Sequence, residues 1–283
     1  MGDDAVDIEE RWRRARIVID KAIDEAVSKL PEANAVEAAR YIARGGKRLR
    51  GFIVVELAEE LGGSMSDAID GAVAVELVHA SSLALDDIID EDITRRGMEA
   101  AWIRYGLKKT VMVSNLLIPY AQRIVDQAYG EEALRRTVKA WLDISRGEVL
   151  DAFADPQRLP DNTYLEMIKL KTGALFRLAA ELGVIAARRL DLLQAASKLG
   201  ELLGVMYQIA DDIRDSRDPE KLSKEPSLRL FRRWAPSEEK ALDYIRSLAE
   251  KAAELTARLI GGGSYSFHRL PLFIVRAMLG PVI

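Results

Sequence analysis

The chain has 283 residues, 49% of them hydrophobic, enough for one large domain or two average ones and for a sizeable core. Its 45 acidic and 41 basic side chains leave a net charge of -4, which gives no global attraction to nucleic acid, so any anion binding has to come from local basic patches. Cysteine is absent, which excludes disulfides, thiolate zinc sites and cysteine nucleophiles.

The amino end, MGDDAVDIEERWRR, is too acidic and polar for a signal peptide. No uninterrupted apolar run approaches the roughly 18 residues of a membrane span, so the expectation is a soluble, cytoplasmic protein without a transmembrane segment. From there helical periodicity dominates. Ile8, Trp12, Ala15, Ile19, Ile23, Ala26 and Leu30 fall three or four apart and predict a helix with one apolar stripe that stops at Pro31. A short helix over about 35–43 leads to RGGKRLRG, where Lys47, Arg48 and Arg50 follow the Gly45-Gly46 break and open a helix over about 48–61. Backbone amides at a helix start together with fixed cations make an anion cradle.

The next helix, about 66–91, is apolar over more than one face until it ends in LALDDIIDED, with Asp86, Asp87, Asp90, Glu91 and Asp92. Asp86 and Asp90 share a face, and His79, seven residues earlier, projects from roughly the same side. Carboxylates this close repel one another and are costly to shield from water unless cations or strong donors stand among them. Arg95 and Arg96 follow in TRRG. Helices over about 108–128, 131–154 and 162–189 come next, the last carrying KLKTG with Lys171 and Thr172. The helix over about 191–214 repeats the acidic ending in YQIADDIRD, with Asp211, Asp212 and Asp215 spaced as Asp86, Asp87 and Asp90 are. Two more helices, about 237–260 and 268–279, complete the chain. The breaks are short: Gly62-Gly63, Gly130, Pro156 with Pro160, Pro219, Pro226 and Gly261 to Gly263. No long linker or fixed-period repeat appears, so residues 1–283 read as one all-α domain, a large helical bundle around a central apolar cavity.

Two carboxylate groups, each closing an apolar helix, place acids at the rim of a dry interior. Oxygen-only ligands suit Mg²⁺, which keeps several waters and completes its shell with substrate phosphate. Glycoside hydrolysis fits less well, since aromatic platforms are scarce at 6% aromatic residues. A di-iron bundle would need Glu-x-x-His pairs, and neither His79 nor His268 lies in one.

In this order and spacing, Gly-Gly-Lys-Arg-x-Arg, the first Asp-Asp-x-x-Asp, Arg-Arg-Gly, Lys-Thr-Gly and Gln-x-x-Asp-Asp-x-x-Asp make the chain resemble the trans-isoprenyl diphosphate synthases of the polyprenyl synthetase family over about residues 40–224. The resemblance implies the isoprenoid synthase bundle and a Mg²⁺-dependent prenyltransferase that joins isopentenyl diphosphate to an allylic diphosphate. It implies that Asp86, Asp87, Asp90, Asp211, Asp212 and Asp215 hold three Mg²⁺ on the allylic diphosphate, with Arg95, Lys171 and Lys224 beside them. Lys47, Arg50, His79 and Arg96, after the Gly46 turn, would hold isopentenyl diphosphate, and Thr172 and Gln208 would lie near the reacting carbons.

The chain departs from the family pattern at Glu99-Ala100-Ala101-Trp102, at Ser114-Asn115, at Glu148 after Gly147 and at Ser227-Leu228-Arg229 past Lys224. A catalytically weak regulatory subunit and a terpene cyclase are the alternatives. In the family the residues four and five before the first aspartate form the tunnel floor; here Ser82 and Ser81, with Val78 a turn deeper, imply a product of twenty to twenty-five carbons. Leu117 and Tyr120 on a facing helix are further candidates for the stop. The resemblance also implies a homodimer. The apolar tail RLPLFIVRAMLGPVI reads as a last docked helix, though a long lipid product favours peripheral contact with a bilayer.

Overall fold

The computed structural model describes residues 7–155, 158–160, 162–261 and 267–279. The sequence breaks at Pro156 and Gly262-Gly263 and the last four residues of the tail lie outside them. The first layer of helices is α1 (Ile8–Ser28), α2 (Val36–Ala43), α3 (Leu49–Glu60) and α4 (Met65–Ile89). The stripe read from the sequence is the buried face of α1, with Ile8, Ala15, Ile19 and Ile23 enclosed. At the start of α4, Ser64 and Asp67 form a reciprocal capping box, which satisfies two of the helix's orphan N–H groups. By length and composition α4 could cross a membrane, but most of its apolar stretch is buried against α3 and other helices of the bundle, as in the core helix of a globular fold.

After α4 the chain makes a hairpin, β1 (Thr94–Arg95) with β2 (Met98–Glu99), that helical periodicity did not predict. Its turn residues Arg96 and Gly97 have φ of 54° and 75°, the double left-handed geometry of tight hairpins. Next come α5 (Ala101–Tyr105), α6 (Leu107–Tyr129) and α7 (Glu131–Ala152). The stretch expected as one helix over 162–189 is α8 (Thr163–Ile168), a π-turn over Lys169–Gly173, and α9 (Ala174–Ala186). Then follows α10 (Leu193–Asp215). Pro219 and Pro226, read as breaks, each open a short helix, α11 (Pro219–Lys224) and α12 (Pro226–Trp234), because a first helical position needs no N–H. Helices α13 (Glu238–Ile260) and α14 (Leu270–Leu279) finish the bundle.

The core is built on α9, which packs against α10 on one side and α3 and α4 on another, with α7 also against α9, α6 against α4, and α13 and α14 against α10. The approach of α10 to α9 depends on Gly200: a Cβ there would stand 2.5 Å from the Phe176 carbonyl oxygen and 2.6 Å from the Arg177 Cα, both backbone atoms that cannot swing away. Gly200→Ala is therefore expected to cost about 1–3 kcal/mol, seen as a lower urea midpoint with an unchanged slope. An unaffected midpoint would show that the two helices separate without penalty.

Candidate active site

The two acidic clusters flank the π-turn. A π-turn widens the helix, and here it aims two adjacent side chains at different neighbours. Lys171 points to α7, where its Nζ stands 2.8 Å from Glu148 Oε2 and 2.8 Å from Asp151 Oδ2. Thr172 points to α10, where its hydroxyl donates to Gln208 Oε1 at 2.6 Å. The close approach needs Gly147, since a Cβ there would lie 2.5 Å from the Lys171 amide nitrogen. Burial pushes the Lys171 ammonium down, but Asp151, Asp86 and Glu148 outweigh it and raise it above its ordinary value.

In the first cluster Asp86 faces Lys171, and burial raises its carboxyl to about 7 against that attraction. Asp90 caps α4, and its amide donates to the Asp86 carbonyl at 2.8 Å. Asp87 turns away and is only 2% exposed. Arg95 Nε donates to its Oδ1 at 2.6 Å, so Asp87 and Arg95, expected to serve cation and diphosphate separately, are paired with each other. Arg95 also reaches Asp92 at 3.1 Å.

In the second cluster Asp211 is in contact with Arg214. Asp215 pairs with Arg214 at 2.8 Å and Lys221 at 2.7 Å, and these two cations overcome burial to hold its carboxyl below the usual range. Asp212 is buried and has both oxygens taken, accepting from Tyr164 Oη at 2.5 Å and from Gln208 Nε2 at 2.9 Å. Burial nevertheless raises it to about 8. Lys224 is exposed and pairs with Glu220 at 2.6 Å.

The basic loop lies on the side of Asp211, whose charge acts on both Lys47 and Arg50. Arg96 Nη1 donates to the carbonyls of Arg44 at 2.6 Å and Gly45 at 3.0 Å, bracing the glycine turn. Gly46 has φ of 97°, and a Cβ there would meet Arg96 Nη2 at 2.9 Å. Arg50 Nη1 donates to His79 Nε2 at 3.0 Å, and its guanidinium lies 4.6 Å from the Phe176 ring centroid. Burial, reinforced by Arg50, drives His79 well below its ordinary value, so it is neutral and accepts through Nε2. Lys47 Nζ donates to the Ala277 carbonyl of α14 and touches Met278 Sδ at 3.1 Å. The first-turn amide of Gly51, expected to face an anion, donates instead to Glu76 Oε1 at 2.8 Å. Arg48 likewise turns inward to Asp20 at 2.7 Å and Glu76 at 3.5 Å.

Sequence reasoning missed Asp151, Tyr164, Glu76 and Asp20. Glu148 and Asp151 lie three apart on one face of α7, a spacing that could have marked them. Nothing along the chain marks Tyr164 or Glu76, whose partners are 48 and 25 residues away.

A divalent cation fits this donor set. Among the described residues the side chains of Asp86 and Asp90 have no hydrogen bond or ion pair within 4 Å, and every carboxylate at the rim offers hard oxygen. No three acids among the described residues converge on one point, so a Mg²⁺ ion held here would draw the rest of its shell from water and phosphate.

A family-wide sequence model described as polyprenyl synthetase matches residues 32–227. The hexaprenyl pyrophosphate synthase of Saccharolobus solfataricus is 34% identical over 278 residues, covering 95% of the chain and 96% of that relative. The geranylgeranyl diphosphate synthase of Methanosarcina mazei is 32% identical over 212 residues, covering 72% of the chain and 65% of the relative. Of solved structures, the geranylgeranyl pyrophosphate synthetase of Geoglobus acetivorans is 25% identical and superposes with a TM-score of 0.79 over 95% of the chain and 99% of its own.

The raised Asp86 carboxyl makes stability depend on pH with a definite sign. Between its ordinary 3.8 and about 7 the folded state holds the proton more tightly than the unfolded state, so this contribution is lost as pH rises through that window. His79 acts with the opposite sign and cancels when two variants that share it are compared. The fall in melting temperature of the ligand-free protein from about pH 5 to about pH 8 should accordingly be smaller in Asp86→Asn than in the wild type. Identical pH profiles would show that Asp86 is not a buried acid.

Proposed function

The chain belongs to the polyprenyl synthetase family, and we propose that it condenses isopentenyl diphosphate with an allylic diphosphate, head to tail and trans, into a longer polyprenyl diphosphate. It is a prenyltransferase. The observation that carries the substrate reading is the pair of acid clusters flanking Lys171 and Thr172, with Lys47, Arg50 and His79 on the side of Asp211. That arrangement provides places for two anionic heads beside one apolar interior.

In this reading Asp86, Asp90, Asp211 and Asp215 hold the Mg²⁺, three ions by the family's pattern, while Asp87 and Asp212 act from behind through Arg95 and Gln208. Mg²⁺ supplies the positive charge that neutralises the departing pyrophosphate. Lys171 adds a fixed cation on the same side, and Lys224 reaches the allylic diphosphate only by leaving Glu220. Lys47, Arg50, Arg96 and neutral His79 take the isopentenyl head, which displaces the Ala277 carbonyl from Lys47. When the allylic carbon–oxygen bond breaks, the buried walls of α4, α9 and α10 keep water from the carbocation. The isopentenyl double bond attacks it, and the proton lost afterwards passes to the pyrophosphate.

Chain growth runs along α4. His79, Ser82 and Asp86 remain partly accessible, whereas Ser81 and Val78 are enclosed, so Ser82 borders the open space and the other two close it. On the facing helix Leu117 is fully buried and Tyr120 is tied to the Ala26 carbonyl at 2.7 Å, which fixes that wall. These small floor residues support a product of twenty to twenty-five carbons. The protein is also proposed to dimerise through α7, where Val138, Leu142 and Val149 share one outward face and are 48%, 58% and 57% exposed, with Phe153 just past its end 83% exposed.

Incubation with isopentenyl diphosphate, an allylic diphosphate and Mg²⁺, followed by mass spectrometry, should give a product longer than fifteen carbons, and Ser82→Phe should shorten it. A cyclised product, or none from the wild type, would remove the proposed activity; an unchanged length in Ser82→Phe would remove Ser82 from the floor. Leu142→Asp is expected to halve the mass measured by sedimentation, whereas a wild type that already sediments as a monomer would dispose of the dimer.

A further inference from the structure

Tyr164 is fully buried on α8, away from any surface a diphosphate could reach, yet it ends an unbroken line of hydrogen bonds that begins at the reaction centre. Its hydroxyl donates to Asp212 Oδ2 at 2.5 Å. The other oxygen of Asp212 accepts from Gln208 Nε2 at 2.9 Å, and Gln208 Oε1 accepts from Thr172 Oγ1 at 2.6 Å. Each link fixes the polarity of the next. With Tyr164 Oη donating to one oxygen of Asp212 and Gln208 Nε2 to the other, the amide nitrogen faces Asp212 and its oxygen faces Thr172. Thr172 then spends its single proton on Gln208, and its remaining lone pairs are the part of the hydroxyl left for the cavity. A lone pair directed at a forming carbocation stabilises it, whereas a hydroxyl proton directed there would oppose it.

We propose that Tyr164 is a positioning residue for prenyl transfer: through Asp212 and Gln208 it sets the direction of the Thr172 hydroxyl dipole. The proposal rests on the reading that Thr172 and Gln208 border the reacting carbons. The ring of Tyr164 is itself held from behind, stacked on Trp234 with centroids 5.1 Å apart and packed on Phe231 at 5.4 Å, both from α12. Trp234 in turn meets Tyr244 of α13 edge-on at 5.1 Å. Helix α12 follows the second acid cluster, and Arg232 on it donates to the Ser216 carbonyl at 3.2 Å. The helix that opens with the altered stretch past Lys224 thus backs the tyrosine through Phe231 and Trp234.

The test is Tyr164→Phe, which keeps the ring and its stacking and removes only the phenol oxygen. The expected result is a kcat for condensation about 10-fold lower, with KM for both diphosphates within about twofold of the wild type. In a Thr172→Val background, where no hydroxyl remains to be oriented, the same substitution should change kcat by less than about twofold. Equal effects of Tyr164→Phe in the two backgrounds would overturn the proposal. So would a large loss of Mn²⁺ affinity in the presence of pyrophosphate, measured by calorimetry, because that would make Asp212 a grip on the cation. If Tyr164→Phe fails to fold, Asp212→Asn is the second variant and must show the same dependence on Thr172. A wild type that makes no elongated product would defeat the reading of the reaction and this relay with it, whereas equal effects in the two backgrounds of an active wild type would defeat the relay alone.

Discussion

The ammonium of Lys171 stands 2.8 Å from both Glu148 and Asp151 and faces Asp86, and the site is arranged around that contact. Without it, three carboxylates from two helices would share a low-dielectric rim with only the weaker pull of Arg95 on Asp86 to offset their repulsion. The contact in turn requires the π-turn that releases Lys171 toward α7 and the missing side chain at Gly147 that lets α7 come close. Because Thr172 is the next residue, the same turn ties the first acid cluster to the second through Gln208 and Asp212.

The cations expected to meet diphosphate are already held by the protein. Arg95 is on Asp87, Lys47 on the Ala277 carbonyl, Arg50 on His79, Lys171 on Glu148 and Asp151, and Lys224 on Glu220. On the proposed reading, substrate binding would be an exchange of partners rather than the filling of bare charges, which limits the net gain but keeps the donors oriented. The depth of the exchange differs between positions. Arg95 would have to be shared with an almost fully enclosed Asp87, whereas Lys224 would only leave an exposed ion pair, which is a weak one in water.

Much of the bundle was legible because its helices are amphipathic or uniformly apolar, and periodicity reads such patterns well. The π-turn, the hairpin at Arg96-Gly97 and the two helices that begin at Pro219 and Pro226 were not, since each depends on a local geometry that apolar spacing does not encode. Within the site, residue types and spacing singled out the two aspartate groups and the basic loop. They could not tell that Arg48 and the Gly51 amide serve Glu76 and Asp20, because a cation beside a glycine turn looks alike whether it faces in or out.

By itself the sequence determined the family, the all-α class and the two acid-bearing helix ends, since those follow from residue identity and from distances of a turn or two along one helix. Only the tertiary structure decided which aspartate stays open and which is committed: Asp86 faces Lys171, while Asp87 and Asp212, with the same neighbours in sequence, are turned to Arg95 and Tyr164. The reason is rotation about the helix axis. Adjacent residues differ by about 100°, so packing of α4 and α10 against different partners sends chemically identical side chains into different surroundings.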